Sequence, residues 1–332
     1  MSIQNSLSPL PRSHRPLRTV LIGTSLGSES DRVVRAGLAV ARRAGARVVL
    51  VHAVHLELLP VAVWAGLEHE EVALGDEELR RQIERLGLSA SELAGAIARV
   101  GAPHRILTET AQRVGADLIV VGATGAGPLA AELLGSTADR VLQKAPCPVL
   151  VVRAGLRVPP RRVLAAVDLS TLSGDAFRCG LHLLGQLGDP EEVQVQAVYA
   201  LSYPETVARQ PGTAGKAGEP VERWTAEELR RFVRENRPEA SLRIDTAVLH
   251  GPARAEILRE LAEHPVDLLI LGTHGRGGLD RLVLGSVASA VVRQAPCSVL
   301  AISPEAALAE GIAEAITTQT EPAWHPEPAY AR

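Results

Sequence analysis

The chain has 332 residues, 46% of them hydrophobic and 22% charged, a balance that suits two globular domains with real cores and argues against disorder. A formal net charge of -3 leaves no basic footprint for nucleic acid and no polybasic anchor for a membrane. Three scattered cysteines, Cys147, Cys179 and Cys297, exclude a disulfide framework or zinc cluster and fit a reducing compartment.

Residues 1–15 lack the apolar core of a signal peptide and read as a flexible lead-in. From Arg18, RTVLIGTSLGSESDRVVRAGLAVARRAGARVVLVHAV gives a short apolar run, a Ser/Gly-rich turn, a helical pattern and a second strand. The apolar stretch from Val48 to Leu67 is broken by His52, His55, Glu57 and Pro60, which rules out a membrane span, so the cytoplasm is the expected compartment. His52, His55 and Glu57 have the chemistry of metal ligands. On a strand, however, His52 points to one face and the other two to the opposite face, so no protein-only metal site is expected. GAPHRILTETAQRVGADLIVVGATG then reads as helix, strand and glycine turn; His104 opens the helix, at a cap or on the surface, with no chemistry assigned. The first half closes on PVLVV, Pro148 to Val152.

RAGLRVPPRR, Arg153 to Arg162, is a Pro- and Arg-rich link. Beyond it RRVLAAVDLSTLSGDAFRCGLHLLGQLGDPEEVQVQAVYAL repeats the opening order, GPARAEILRELAEHPVDLLILGTHG repeats the helix, strand and glycine turn, and SVLAI, Ser298 to Ile302, repeats the closing strand. Between them, Pro204 to Pro220 is expected to be loop, with QPGTAGKAGEP too rich in Gly and Pro for regular structure, and a helix is expected to resume near Thr225 with the threonine as cap. The expected organisation is a module over 16–153, a second over 160–304, and a C-terminal helix and mobile tail over 305–332. Asp117-Leu-Ile-Val-Val and Asp267-Leu-Leu-Ile-Leu are apolar without alternation, as in strands covered on both faces. Strands alternating with helices predict an α/β fold, with a five-stranded, doubly wound parallel sheet in each module.

GATGAGPLAAELLGS (Gly122 to Ser136) and GTHGRGGLDRLVLGS (Gly272 to Ser286) place their glycines and their Gly-Ser pair at identical intervals. A strand ending in Gly272-Thr-His-Gly275 must turn sharply, and glycine permits positive φ and close approach of backbone to a ligand. Gly285-Ser286 starts a helix, where free amides and the positive end of the dipole suit a phosphate. Cys147 and Cys297 sit between a proline and a strand, where a small packed hydrophobe is expected rather than redox chemistry.

Gly-x-x-Gly, nine residues, Gly-Ser, a helix and Ala-Pro-Cys-(Pro/Ser)-Val together resemble the universal stress protein family, in two tandem copies. The resemblance implies a Rossmann-like sheet of order 3-2-1-4-5 and, where the motif is kept, ATP across the ends of strands 1 and 4, with Mg2+ accompanying it; that is also where open α/β sheets bind ligands. It places Asp168, Val198, Gly272, His274, Gly275, Gly285, Ser286 and Val287 around an adenine nucleotide in the second module, with Arg276 and Arg281 available to phosphate oxygens. In the first module Gly122, Gly125, Gly135 and Ser136 keep the cradle, but Ser25 replaces the acid, Ala126 and Ala131 replace the arginines, and Glu132 adds negative charge. A weak or empty first site is expected. The resemblance further implies a regulatory protein of stress responses, switching conformation or affinity for a protein partner as nucleotide binds. A nucleotide-independent scaffold or apolar-ligand carrier is the alternative. Slow hydrolysis or autophosphorylation ranks last, because no pyrophosphatase loop, His-Ile-Gly-His pair or P-loop lysine is found. Apolar fifth strands predict that the halves pair as an intramolecular pseudo-dimer, with a homodimer as a further assembly.

Overall fold

The computed structural model describes residues 16–54, 61–123, 134–153, 156–202, 214–237, 242–275 and 284–308, without the side chains of 61–71 and 214–219. In the first module the elements are β1 (Thr19–Thr24), α1 (Ser28–Ala44), β2 (Arg47–Val54), α2 (Val61–Leu86), β3 (Leu93–Val100), α3 (Pro103–Arg113), β4 (Leu118–Gly122), α4 (Ser136–Lys144) and β5 (Val149–Val152). The second contains β6 (Arg162–Val167), α5 (Thr171–Gly185), β7 (Gln194–Leu201), α6 (Ala214–Asn236), β8 (Arg243–His250), α7 (Ala253–Glu263), β9 (Leu268–Gly272), α8 (Ser286–Gln294), β10 (Ser298–Ile302) and α9 (Pro304–Leu308).

All ten strands form one sheet in the order β3-β2-β1-β4-β5-β10-β9-β6-β7-β8, so each module has the expected order 3-2-1-4-5. Within each module the neighbours are parallel. The two closing strands meet antiparallel, with Leu150 opposite Leu300. This seam is the intramolecular pairing that the apolar fifth strands predict. It also reverses the strand direction, so the C-terminal strand ends of the two modules, where ligands bind in such sheets, lie at opposite edges.

Non-alternating apolar strands need cover on both faces, and both layers run across the seam. One layer packs Ile22, Leu50, Ile270 and Leu300 against α1, α2, α5 and α6; the other packs Leu21, Ile119, Leu164 and Leu269 against α3, α4, α7 and α8. A repeated device aligns the central strands. Asp117 Oδ2 accepts from the Arg18 and Thr19 amides at 2.9 and 3.0 Å, and Asp267 Oδ2 accepts from Arg161 and Arg162 at 2.7 and 2.9 Å.

Two expectations are corrected. Helix α6 begins at Ala214, not near Thr225, and carries Pro220 inside it. A proline there removes one amide donor, which the good helix formers around it and the buried stripe Leu229, Phe232 and Val233 override. Thr225 is no cap: it is buried in the helix interior with its Oγ1 lacking a hydrogen-bond partner. His104 is buried, not at the surface, and its pKa is held below the ordinary imidazole value by burial and then by Arg140 and Lys144. The lead-in, the tail beyond Leu308, His55 and Glu57 lie outside the described residues.

Candidate functional site

Strand β6 delivers Asp168 to the edge of the second module. Asp168 Oδ1 accepts from the Ser170 amide at 2.9 Å and its hydroxyl at 2.6 Å, while the Asp168 amide donates to Ser173 Oγ at 3.1 Å. The turn puts Leu169 at φ 62°, a left-handed conformation that non-glycine residues seldom adopt and that clusters at functional sites. Beside β6, β9 ends at Gly272, and Gly275 follows on the turn. A Cβ on Gly275 would stand 2.3 Å from Asp168 Oδ2. The carboxylate therefore packs on a bare Cα, and the sequence residues singled out at two strand ends do converge. The reason for glycine differs from the expected one. Neither Gly272 nor Gly275 has positive φ; Gly275 is set by the close approach of Asp168, and Gly272 lies in a tight but milder contact, 3.2 Å from Ala176 for an added Cβ.

The amide cradle is also narrower than expected. The Gly285 N–H donates to the Thr273 carbonyl at 2.8 Å, and the Gly285 carbonyl accepts from Ser289 as N-cap of α8. The amides left by helix geometry are those of Ser286, Val287 and Ala288, at the positive end of the dipole. Val287 is exposed, whereas Val198 on β7 is buried opposite Ala166 and forms floor rather than surface. His274 Nδ1 lies 2.9 Å from Thr273 Oγ1, and its Nε2 is buried with no hydrogen-bond partner. Such an orphaned polar atom at a strand end is what a bound polar ligand would satisfy. Arg276 and Arg281 lie outside the described residues.

The first module repeats the backbone. Leu26, the counterpart of Leu169, has φ 67°, and the Gly135 amide donates to the Ala123 carbonyl at 2.7 Å as Gly285 does to Thr273. Gly122 ends β4 and Ser136 starts α4, while Gly125, Ala126, Ala131 and Glu132 lie outside the described residues. The chemistry differs. Ser25 is exposed at the aspartate's place. Under it Thr24 Oγ1 lies 2.9 Å from Gln82 Oε1, and Gln82 Nε2 donates to Asp31 Oδ1 at 2.7 Å. Arg85 holds Asp31 through Nε and Nη2 at 3.0 and 2.9 Å and keeps its pKa below the usual carboxylate value. His52 Nδ1 is 3.0 Å from the Thr24 carbonyl, a structural role.

Above this edge lies a cleft of about 1240 Å³ reaching Gly122, Gly135 and Ser136. Part of its wall comes from elsewhere: Leu156 and Val158 of the linker, and Gln294, Ala295 and Pro296 of the second module. No pattern in one half announces a wall supplied by the other. The Gln82 network did leave a signal, since aligning ELRRQIERL with ELRRFVREN sets Gln82 against Phe232.

Cys147, Cys179 and Cys297 are buried thiols outside any disulfide, and burial pushes the Cys297 thiol up to about 11, away from thiolate chemistry. Among the described residues no group of three His, Cys, Asp or Glu side chains could hold a metal, and no helix is long and apolar enough to cross a membrane.

A doubly wound sheet carrying a glycine turn and a helix start at its strand ends, twice over, defines a Rossmann-like α/β fold in tandem form. The model of the Universal stress protein family matches residues 16–153 and 160–303, and the chain belongs to that family. A universal stress protein of Mycobacterium tuberculosis strain H37Rv is 28% identical over 293 residues, spanning 85% of this chain and 95% of the relative. One from Thermus aquaticus is 31% identical over 144 residues, 41% of this chain and 98% of its own. Among solved structures, a protein of unknown function from Pseudomonas aeruginosa PAO1 superposes with a TM-score of 0.58 at 20% identity, covering 88% of this chain and 95% of that one, and shares the fold.

Proposed function

We propose that the chain is a nucleotide-responsive stress protein whose second module holds ATP across the ends of β6 and β9. The observation that carries this reading is the convergence of Asp168 and Gly275, with a Cβ-to-carboxylate separation of 2.3 Å that only glycine relieves. Asp168 would face the adenosine side; Gly272, His274 and Gly275 would form the turn beneath the ligand, and the first-turn amides of α8, with Arg276, would meet the phosphates. The orphaned His274 Nε2 and the unpaired helix start fit such a group. ATP supplies a charged, removable wedge between turn and helix, and Mg2+ would enter with the triphosphate. In the first module Gly122, Gly125, Gly135 and Ser136 without an acid would hold nucleotide weakly. Nucleotide occupancy then sets the conformation shown to a protein partner, in the cytoplasm.

Isothermal calorimetry tests this. One tight ATP per chain is expected, with Asp168→Ala weakening it by about tenfold to a hundredfold, the equivalent of a charge-assisted hydrogen bond, and Ser25→Ala leaving it unchanged. Two equal sites, or no saturable binding, would refute the assignment.

A further inference from the structure

The cleft at the first-module strand ends lacks what a nucleotide needs and holds something the second site does not explain. Among the described lining residues there is no Phe, Tyr or Trp to stack a base, the His52 ring is held on the Thr24 carbonyl, and the one carboxylate, Glu29, is paired with Arg32. Its walls are largely apolar: Leu107 and Val121 on one side of the sheet edge, Ala36 on α1, and Leu156 and Val158 on the linker. Against these walls stands Arg153, directly after β5. Its Nη2 donates to the carbonyls of Val292 and Arg293 at 3.0 and 2.9 Å, and its backbone amide donates to Ser298 Oγ at 3.0 Å. Its Nε is buried with no partner, and among the described residues no carboxylate pairs with the guanidinium. A half-buried cation in an apolar cleft, with a donor unused, calls for an anion.

We propose that this cleft is a binding site for an amphiphilic carboxylate, with the hydrocarbon body on the apolar walls and the carboxylate on Arg153. The volume of about 1240 Å³ admits a long body. The carboxylate accepts from Nε, which completes a guanidinium otherwise engaged only through Nη2. The site is composite, because Gln294 to Pro296 of the second module close it, so it exists only in the tandem chain. It is distinct from the nucleotide reading of the second module and stands or falls separately.

The test uses the full chain and laurate as probe, with direct binding measured by calorimetry in the absence of nucleotide. One saturable laurate per chain is expected. Arg153→Gln, which removes the charge, is expected to weaken it by about tenfold or more, and Arg153→Lys, which keeps the charge, to weaken it less. Ala36→Trp is expected to abolish binding by filling the cleft; it leaves Arg153 untouched, so it decides the matter if the arginine variants fail to fold. Asp168→Ala is expected to leave laurate binding intact, which separates this site from the other even if ATP proves not to bind there. Non-saturable uptake, or laurate binding indifferent to both Arg153→Gln and Ala36→Trp, would overturn the proposal.

Discussion

After β1 the chain turns through Ser25 and Leu26, and after β6 through Asp168 and Leu169, with the leucines at φ 67° and 62°. The backbone device is the same; the polar groups are not. In the second module the acid stands on the turn against Gly275, the Phe232 and Phe177 rings lie 5.8 Å apart, and the buried Asn236 packs against Gly174 and accepts from Arg178. In the first module the turn carries a serine, and the acid has moved onto the helix as Asp31, where the second module has Gly174. There Gln82, in Phe232's place, ties Asp31 to Thr24. A duplicated fold can thus hold its left-handed turn constant while the acid sits on the turn in one copy and on the following helix in the other.

The largest effect that would sharpen this comparison is on stability. Phe232→Ala is expected to cost about 3–5 kcal/mol, as for a buried aromatic, and Gln82→Ala about 1–3 kcal/mol for the partners it strands. Urea denaturation of the two variants measures both; a Gln82→Ala loss equal to that of Phe232→Ala would break the contrast between a polar plug and an apolar core. Next comes Gly275→Val, whose side chain drives into Asp168. It is expected to weaken ATP by roughly a hundredfold, while Gly125→Val leaves total tight binding almost unchanged, as read by equilibrium dialysis. Equal losses would mean the modules share the work of binding.

The smallest effect is one of pH. Arg85 depresses the Asp31 pKa, so its contribution to stability is fully present above the unfolded value near 4 and is lost as pH falls through the lower folded value. Melting curves below about pH 4 are expected to show an acid-dependent loss in the parent chain that Asp31→Asn flattens. A parallel loss in Asp31→Asn would assign the acid sensitivity elsewhere.

Strand identity was legible because two-sided burial forces continuous apolar runs such as Leu-Ile-Val-Val and Leu-Leu-Ile-Leu, whereas the sheet order came only with the family resemblance that the repeated glycine motif carries. The site was legible in its positions but not in its reasons. Gly275 reads as a positive-φ residue on sequence grounds, yet the requirement comes from a carboxylate on a neighbouring strand, a distance that no spacing encodes. Gly285 reads as a free donor, yet its amide donates to the Thr273 carbonyl, twelve residues earlier in the chain. The breaker rule misplaced the start of α6 because it weighs Pro220 and its glycines without the buried stripe that holds the helix. Gln294 to Pro296 in the first cleft was illegible because it depends on the antiparallel seam.

Helix α8 has one end at each edge of the molecule. Its start presents first-turn amides beside the end of β9, and its final carbonyls, Val292 and Arg293, accept from Arg153 in the wall of the first-module cleft. Arg293 further grips Asp139 of α4 at 2.8 Å. Nine residues make a strut of about 13 Å, too short and too well bonded to bend between its ends. Were ligands bound at both proposed sites, this helix would connect them, and reciprocity would hold: whatever factor an occupant of the first cleft imposed on nucleotide affinity at the second-module site, nucleotide would impose on that occupant in return. Fusing two modules through one seam places a single short helix between the two proposed sites.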